Sequence, residues 1–421
     1  MARLCTLFDT PGLRWCRRAA LTTTMRILLV TETLITGGAE TFVVRLANAL
    51  SASHQVSIAV VHGELIDRSL LERVGPAVHV ERLMLPAKRM LFRADTLLRR
   101  VKIDRSIVRR AQRRWLASIV DHMAPDVIHS HLLKADRIAA DICADRPTLR
   151  HVVTLHGDYA PFLLGQADPQ MLRTGQAMAA IFGGADGIAA ICRQQAAFVT
   201  TEFPGAAGRT RMIYNGYAPW RATHHDKVRD DHVLTFGMVS RGVERKGWGK
   251  AVAAFAKLPT GAARLVLVGE GPAIDRLRSE PLPENVQFAG FSPDPTTWIE
   301  AFDVGILPTE FSHESLPTVV MEYLDCGKPV IATDVGEIRV MMTAPNGNLA
   351  GTLLDFDDDR ISTDQLAAAM QAYLDDSDLR LRHAALARAA SAKFDMAECA
   401  AAYVRLYEDV VASSSSTIAS H

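Results

Sequence analysis

The sequence predicts two α/β domains in tandem, each a mainly parallel sheet flanked by helices, and three observations carry that expectation. Short apolar runs alternate with helix-period stretches along most of the 421 residues. A polar, aperiodic, proline-containing stretch at 218–232 divides this alternation into two halves. Asp303 to Thr333 reads as a complete strand, helix, strand unit, with a glutamate on each side of the helix start. A hydrophobic content of 48% is ample for two or three separate cores.

Taken in order, residues 1–24 hold Asp9, Pro11, Gly12 and the pair Arg17-Arg18 but no apolar stretch of the secretory kind. They read as an unstructured leader, with Met25 as an alternative start. The first domain, 25–217, opens on the apolar run Met25 to Val30. Gly37-Gly38-Ala39-Glu40 follows, and then Phe42, Val43, Leu46, Ala49 and Leu50 at helical spacing, as at the start of a dinucleotide-binding half. Further strands are expected at Val56–Val61, Val78–Leu83, Asp126–His129, His151–Leu155, Gly187–Ile191 and Met212–Tyr214. The second domain, 218–392, restarts the pattern with strands at Val233–Val239, Arg264–Val268, Val286–Phe288, Asp303–Leu307 and Val330–Ala332. From Ile361 to about Ala412 the chain is Ala-rich and helical by pattern. Its last helix, in segment 393–421 and capped by Asp395, is long enough to pack back across the first domain.

The unit at 303–333 places chemistry. The loop at the carboxyl end of its strand opens onto a ligand crevice, and the following helix offers unpaired N–H groups and a positive dipole end to an anion. Ser315 is positioned to cap that helix and Pro317 suits its first turn. Glu314 then stands at the rim and Glu322 about two turns along, so one carboxylate can meet a sugar hydroxyl and the other a ribose hydroxyl, with phosphates between.

Composition excludes several classes. The six cysteines, Cys5, Cys16, Cys143, Cys192, Cys326 and Cys399, form no CxxC pair or disulfide framework, which points to a reducing, cytoplasmic setting and away from structural zinc. No run reaches the 18 apolar residues of a membrane span. Net charge is zero but unevenly placed: +3 in the leader, +7 over 25–217 and −10 over 218–421. Residues 88–114 alone hold eleven Lys or Arg against Asp95 and Asp104, net +9, with Leu97, Val101, Val108, Trp115 and Ile119 at helix-compatible spacing. Such a segment is either a solvated helix face or a peripheral contact with anionic membrane or a phosphate-bearing acceptor. No nucleic-acid partner is expected.

The motif order resembles the retaining, nucleotide-sugar-dependent glycosyltransferases of family 4, which have two facing Rossmann-like domains, the GT-B fold. The resemblance spans nearly all of 25–414. It rests on Gly37-Gly38-Ala39-Glu40, Asp126 to His131, Thr154-Leu155-His156-Gly157, Asn215-Gly216, Arg241 with Lys246-Gly247, Val268 to Pro272, the Glu314 and Glu322 pair, and Gly327-Lys328-Pro329-Val330. The chain departs from the family at Tyr217-Ala218, where an aliphatic residue and Asp are usual, and at Arg339-Val340, where Pro-Glu is common.

The resemblance implies a sugar transferred from a UDP- or GDP-sugar to a glycan, lipid-linked or small-molecule acceptor, in cell-surface polysaccharide or glycoconjugate synthesis. It implies roles as well. Arg241, Lys246 and the amides of Leu316, Pro317 and Thr318 become the diphosphate site, with Glu322 on the ribose. Glu314 and His156 face the transferred sugar, and Gly37 and Gly38 form an acceptor or phosphate loop. Fixed cations and a helix end stabilise a departing diphosphate without a metal, so no cofactor is expected. Asp355-Phe356-Asp357 reads as a polar loop. An epimerase of the same architecture and an inactive nucleotide-sugar binder remain the alternatives.

Overall fold

The computed structural model describes residues 24–85, 90, 106–163, 169–220 and 233–418. The leader, most of the linker and the front of the basic segment fall outside these residues.

Each apolar run becomes a parallel strand. The first sheet consists of β1 (Arg26–Thr31), β2 (Gln55–Val60), β3 (Val78–Arg82), β4 (Val127–His131), β5 (Arg150–Leu155), β6 (Gly187–Ala190) and β7 (Thr210–Met212), in the spatial order β3-β2-β1-β4-β5-β6-β7. The second consists of β8 (Leu234–Val239), β9 (Ala263–Val268), β10 (Val286–Gly290), β11 (Val304–Leu307), β12 (Val330–Thr333) and β13 (Gly351–Leu354), ordered β10-β9-β8-β11-β12-β13. Both are α/β sheets of the doubly wound kind. Strand order reverses beside β1 and beside β8, and loops there open at the carboxyl ends of the strands, which is where such folds bind ligands. The central strands are buried on both faces because helices cover both sides, hence their unbroken apolar sequence: Ile27, Leu28, Leu29 and Val30 are each 0% exposed.

Two edges depart from expectation. The strand expected at Met212–Tyr214 lies earlier, at Thr210–Met212, leaving Tyr214 free to reach the other domain. β13, an edge strand that opens on Gly351 and is only half-buried in its middle, was not read from the sequence because it lacks the continuous apolar run of the central strands.

The carboxyl-terminal helix Met396–Ile418 returns to the first domain as expected. Asp395 caps it, accepting from the Glu398 amide at 2.9 Å. Its buried Tyr403, Leu406, Tyr407 and Val410 join the core built by β1, β2 and the Gly38–Leu50 helix, each contributing roughly 2 kcal/mol of apolar burial. The outward and return crossings between domains run side by side, with Tyr217 bridging Asp395 and the Tyr217 amide donating to Phe394 O at 2.7 Å.

The Ile107–Met123 helix resolves part of the question posed by the basic segment. Its Val108, Leu116 and Val120 are buried, with Trp115 and Ile119 packed beside them, so this part of the stripe is core. Arg109 pairs with Asp141 at 3.5 Å and Arg113 with Asp145. Lys88 through Arg105 lie outside the described residues, Met90 excepted.

Candidate donor crevice between the two domains

On the second-domain wall the loop after β8 presents Arg241, exposed at the mouth, and Lys246 deeper in. The loop after β11 brings Glu314 to meet them. Lys246 Nζ contacts Glu314 Oε1 as an ion pair whose side chains are 14% and 8% exposed, and Thr309 Oγ1 donates to the same carboxylate at 3.1 Å. The two residues were assigned separate tasks from the sequence, and the fold makes them partners. Glu314 is accordingly buried rather than at the rim. A charge this secluded requires its counter-ion, so removing either residue strands the other.

The helix following Glu314 begins later than its sequence suggested. It runs Thr318–Asp325 with Pro317 as N-cap, at φ −65° and ψ 115°. Ser315 does not cap it, because its hydroxyl accepts from Gln195 of the first domain at 3.4 Å. The residue before a proline avoids helical geometry, which delays the start past Leu316. Glu322 therefore lies about one turn inside the helix instead of two. Burial pushes its carboxyl up to about 6, against the opposing pull of Arg45.

On the first-domain wall, Gly37 is the uncapped N-terminal boundary of the Gly38–Leu50 helix. A Cβ on Gly38 would stand 3.1 Å from Thr318 Oγ1, so the starts of two helices, one from each domain, converge here. Both present amides and positive dipole ends to the gap. Glu40 in the first of these turns is held by Thr33 at 2.8 Å, its carboxyl pushed up by burial and pulled back in part by Arg241 across the crevice.

His156 ends β5. Its Nε2 shares a hydrogen bond with His131 Nδ1 at 2.9 Å, and its ring packs 5.6 Å from Phe42. Desolvation drops its pKa to about 3, so at neutral pH the ring is uncharged. His156 Nδ1 is buried with no partner among the described residues, and so can pair with an incoming hydroxyl. His131 therefore orients His156. Beneath them His129 bonds Tyr407 OH and Thr154 Oγ1, each at 2.7 Å, and Thr154 bonds Tyr403 OH at 2.9 Å, which fastens the returning helix under the histidine strands.

Sequence reasoning missed several residues that the fold brings to the crevice. His313, which had no assigned role, pairs across it with Asp158 at 2.6 Å. Gln195 donates to Gly157 O as well as to Ser315. Arg45 is buried within an apolar helix stripe, its guanidinium 4.4 Å and 4.5 Å from the rings of Tyr217 and Trp220. An arginine at a core position was the one visible signal; the others are polar residues whose partners lie far away in sequence. Asp355 is tied to Gln365 at 2.8 Å, and the described residues contain no group of three or more His, Cys, Asp or Glu that could hold a metal ion.

Two family models match in tandem, one described as Glycosyltransferase Family 4 over residues 36–221 and one as Glycosyl transferases group 1 over residues 231–376. The chain belongs to the family 4 glycosyltransferases. Among curated proteins it is 37% identical over 110 residues to a D-inositol 3-phosphate glycosyltransferase of Xylanimonas cellulosilytica, covering 26% of this chain and 24% of that protein. A protein of the same description from Thermobispora bispora is 34% identical over 122 residues, 28% of this chain and 26% of the relative. The matched part is thus about a quarter of these relatives' length. Sucrose-phosphate synthase from Thermosynechococcus elongatus superimposes with a TM-score of 0.70 at 19% identity, over 92% of this chain and 100% of that one. HepE of Anabaena in complex with UDP-glucose gives 0.68 at 20% identity, over 93% and 100%. At such identities the structures establish the shared GT-B fold of this glycosyltransferase.

Proposed function

We propose that this glycosyltransferase transfers a sugar, with retention of anomeric configuration, from a UDP- or GDP-sugar to a glycan or lipid-linked acceptor. The observation that carries the reading is the convergence of the Gly38 and Thr318 helix starts, with Arg241 at the mouth and the Lys246–Glu314 pair beside them. As the bond from the anomeric carbon to the phosphate oxygen breaks, its electron pair leaves with the nucleoside diphosphate. The acceptor oxygen bonds the anomeric carbon on the face the diphosphate leaves, and its proton passes to the departing phosphate oxygen. Charge grows on the diphosphate, and preorganised donors and cations at that point lower the barrier. Glu322 holds the ribose, Glu314 orients the sugar, and neutral His156 pairs with a sugar hydroxyl through Nδ1. The fold it shares with a structure in complex with UDP-glucose supports a nucleotide-sugar donor.

A lipid-linked acceptor is favoured by the rim of the first domain. Ile35, Leu65 and Met84 are exposed at 44%, 44% and 61%, and they follow β1, β2 and β3 on the crevice side of the sheet. Backbone bonds Leu34 N to Leu65 O at 2.9 Å and Gly63 N to Leu83 O at 3.0 Å bring their loops together. The chain then enters the basic stretch 88–114. This suits peripheral docking of a cytoplasmic enzyme on an anionic membrane surface; no helix of the described residues is long and apolar enough to span a bilayer.

The test is a thermal-shift screen over nucleotide sugars, in which a donor at 100 times its dissociation constant stabilises by about 2.7 kcal/mol. NMR of the product's anomeric signal follows. An inverted product overturns retention, an epimerised free nucleotide sugar establishes the epimerase, and binding without turnover leaves a silent binder. Turnover should persist in excess EDTA; loss rescued by Mg²⁺ would place a metal on the diphosphate.

A further inference from the structure

Glu337 follows β12 in the second domain and is 4% exposed, yet its carboxylate is satisfied from the first domain. Oε1 accepts from the Arg193 amide at 2.6 Å and Oε2 from Tyr214 OH at 3.4 Å. Arg193 is the first residue of the Arg193–Glu202 helix, whose N-cap Cys192 supplies no side-chain cap. The second domain therefore caps a first-domain helix whose opening amides have no intrahelical acceptor.

The other end of Glu337 is fastened to the Glu314 loop. Its amide donates to Ser315 O at 3.3 Å. Its neighbour Gly336 has φ +56°, and a Cβ there would fall 1.7 Å from Glu314 O. No side chain fits that gap, so the two segments are in direct backbone contact. Gln195, in the first turn of the capped helix, holds Ser315 Oγ and Gly157 O together. One helix thus supports the Glu314 loop twice and the His156–Gly157 loop once.

We propose that Glu337 is a positioning residue that couples closure of the two domains to the placement of Glu314. With the crevice closed, its carboxylate sits on the Arg193 amide and the Glu314–Ser315 backbone is fixed opposite His156. With the crevice open that support is gone. The proposal rests on the transferase reading for its kinetic consequences, though not for its structural ones.

The Arg193 amide can be deleted directly. Proline is tolerated at a first helical position, and Cys192, at φ −154° and ψ 163°, already has the extended geometry a residue before proline needs. Arg193→Pro and Glu337→Ala should each lower kcat about tenfold while donor Kd changes less than twofold. Together they should lower it no further than either alone. Arg193→Ala keeps the amide and should behave as wild type. Small-angle scattering of the unliganded protein should show a larger radius of gyration for Glu337→Ala and Arg193→Pro, with far-UV circular dichroism unchanged. That arm needs no turnover, so it decides the proposal even if the donor reading fails. Wild-type kcat in Arg193→Pro, or an unchanged radius of gyration in both variants, overturns it. So does a loss in Glu337→Ala that appears entirely in donor Kd.

Discussion

The two walls of the crevice follow one strand, helix, strand plan and solve opposite electrostatic problems. The second-domain wall is charged: Lys246 and Glu314 neutralise each other, and Glu322 is a carboxyl that burial pushes up. The first-domain wall presents neutral imidazoles: burial drops His156 to about 3, and holds His131 beside it and His129 beneath well below the ordinary range. One wall is suited to receive a diphosphate, where fixed charge matters; the other to receive sugar hydroxyls, where uncharged donors and acceptors select by geometry.

The largest test of that contrast is catalytic. Arg241→Ala and Glu322→Ala should leave the protein folded, because neither side chain fills a core, and should lower kcat/KM about a hundredfold, the usual result of removing roughly 3 kcal/mol of preorganised stabilisation. Retention of more than half the wild-type kcat/KM would remove these residues from the donor site. His156→Ala should cost less, because it removes a neutral hydrogen bond of about 1 kcal/mol.

The walls should also respond to pH with opposite signs. A histidine whose pKa is lowered on folding contributes stability that is complete above its unfolded value of 6.5 and is lost as pH falls toward about 3 for His156. The slope approaches 1.4 kcal/mol per pH unit for each such group. Glu322 runs the other way: raised from 4.5 to about 6, it favours the folded state below 4.5, and that contribution disappears as pH rises through 6. Glu322→Gln should therefore raise the stability of the unliganded protein at pH 7.5 by up to about 2 kcal/mol, change it little at pH 4.5, and lose activity at both. In that background, His156→Asn should flatten the loss of Tm between pH 6.5 and 5. Equal slopes with and without His156 would show that its ring is protonated in the folded protein.

The two walls were not equally legible in the sequence. β1, β5, β11 and β12 showed as apolar runs because strands covered on both faces need little else, and the Glu314 and Glu322 pair stood out by spacing. The returning helix apart, the side-chain contacts that join the domains were hidden. Glu337 and Arg193, Asp158 and His313, and Gln195 and Ser315 meet over sequence separations of 144, 155 and 120 residues (Glu337 to Arg193 and Gln195 to Ser315 as bonded pairs). A polar residue with so distant a partner looks in sequence like any solvated side chain. The start of the Thr318 helix was misplaced for a related reason: Ser315 has the chemistry of a cap, and only the facing domain shows that its hydroxyl is engaged elsewhere.

The smallest expected effect lies outside the crevice, on the Ile107–Met123 helix. Four arginines there have the same formal charge, but the fold divides them. Arg109 and Arg113 are paired with Asp141 and Asp145, whereas Arg110 and Arg114 are exposed and make no ion pair among the described residues. A charge already neutralised has little left to offer a surface. Near an anionic bilayer each unpaired basic residue contributes about 1 kcal/mol, screened over roughly 8 Å at physiological salt. Changing Arg110 and Arg114 together to Gln should therefore weaken binding to anionic vesicles by roughly tenfold or more, leave transfer to a soluble acceptor analogue unchanged, and have no effect on neutral vesicles. Arg109→Gln with Arg113→Gln should weaken vesicle binding less and lower thermal stability slightly, because it leaves Asp141 and Asp145 without partners. If the two double variants lose vesicle binding equally, position on this helix is irrelevant and only bulk charge is being sensed. If neither loses any, the helix is a solvated face and the acceptor is better sought among soluble glycans.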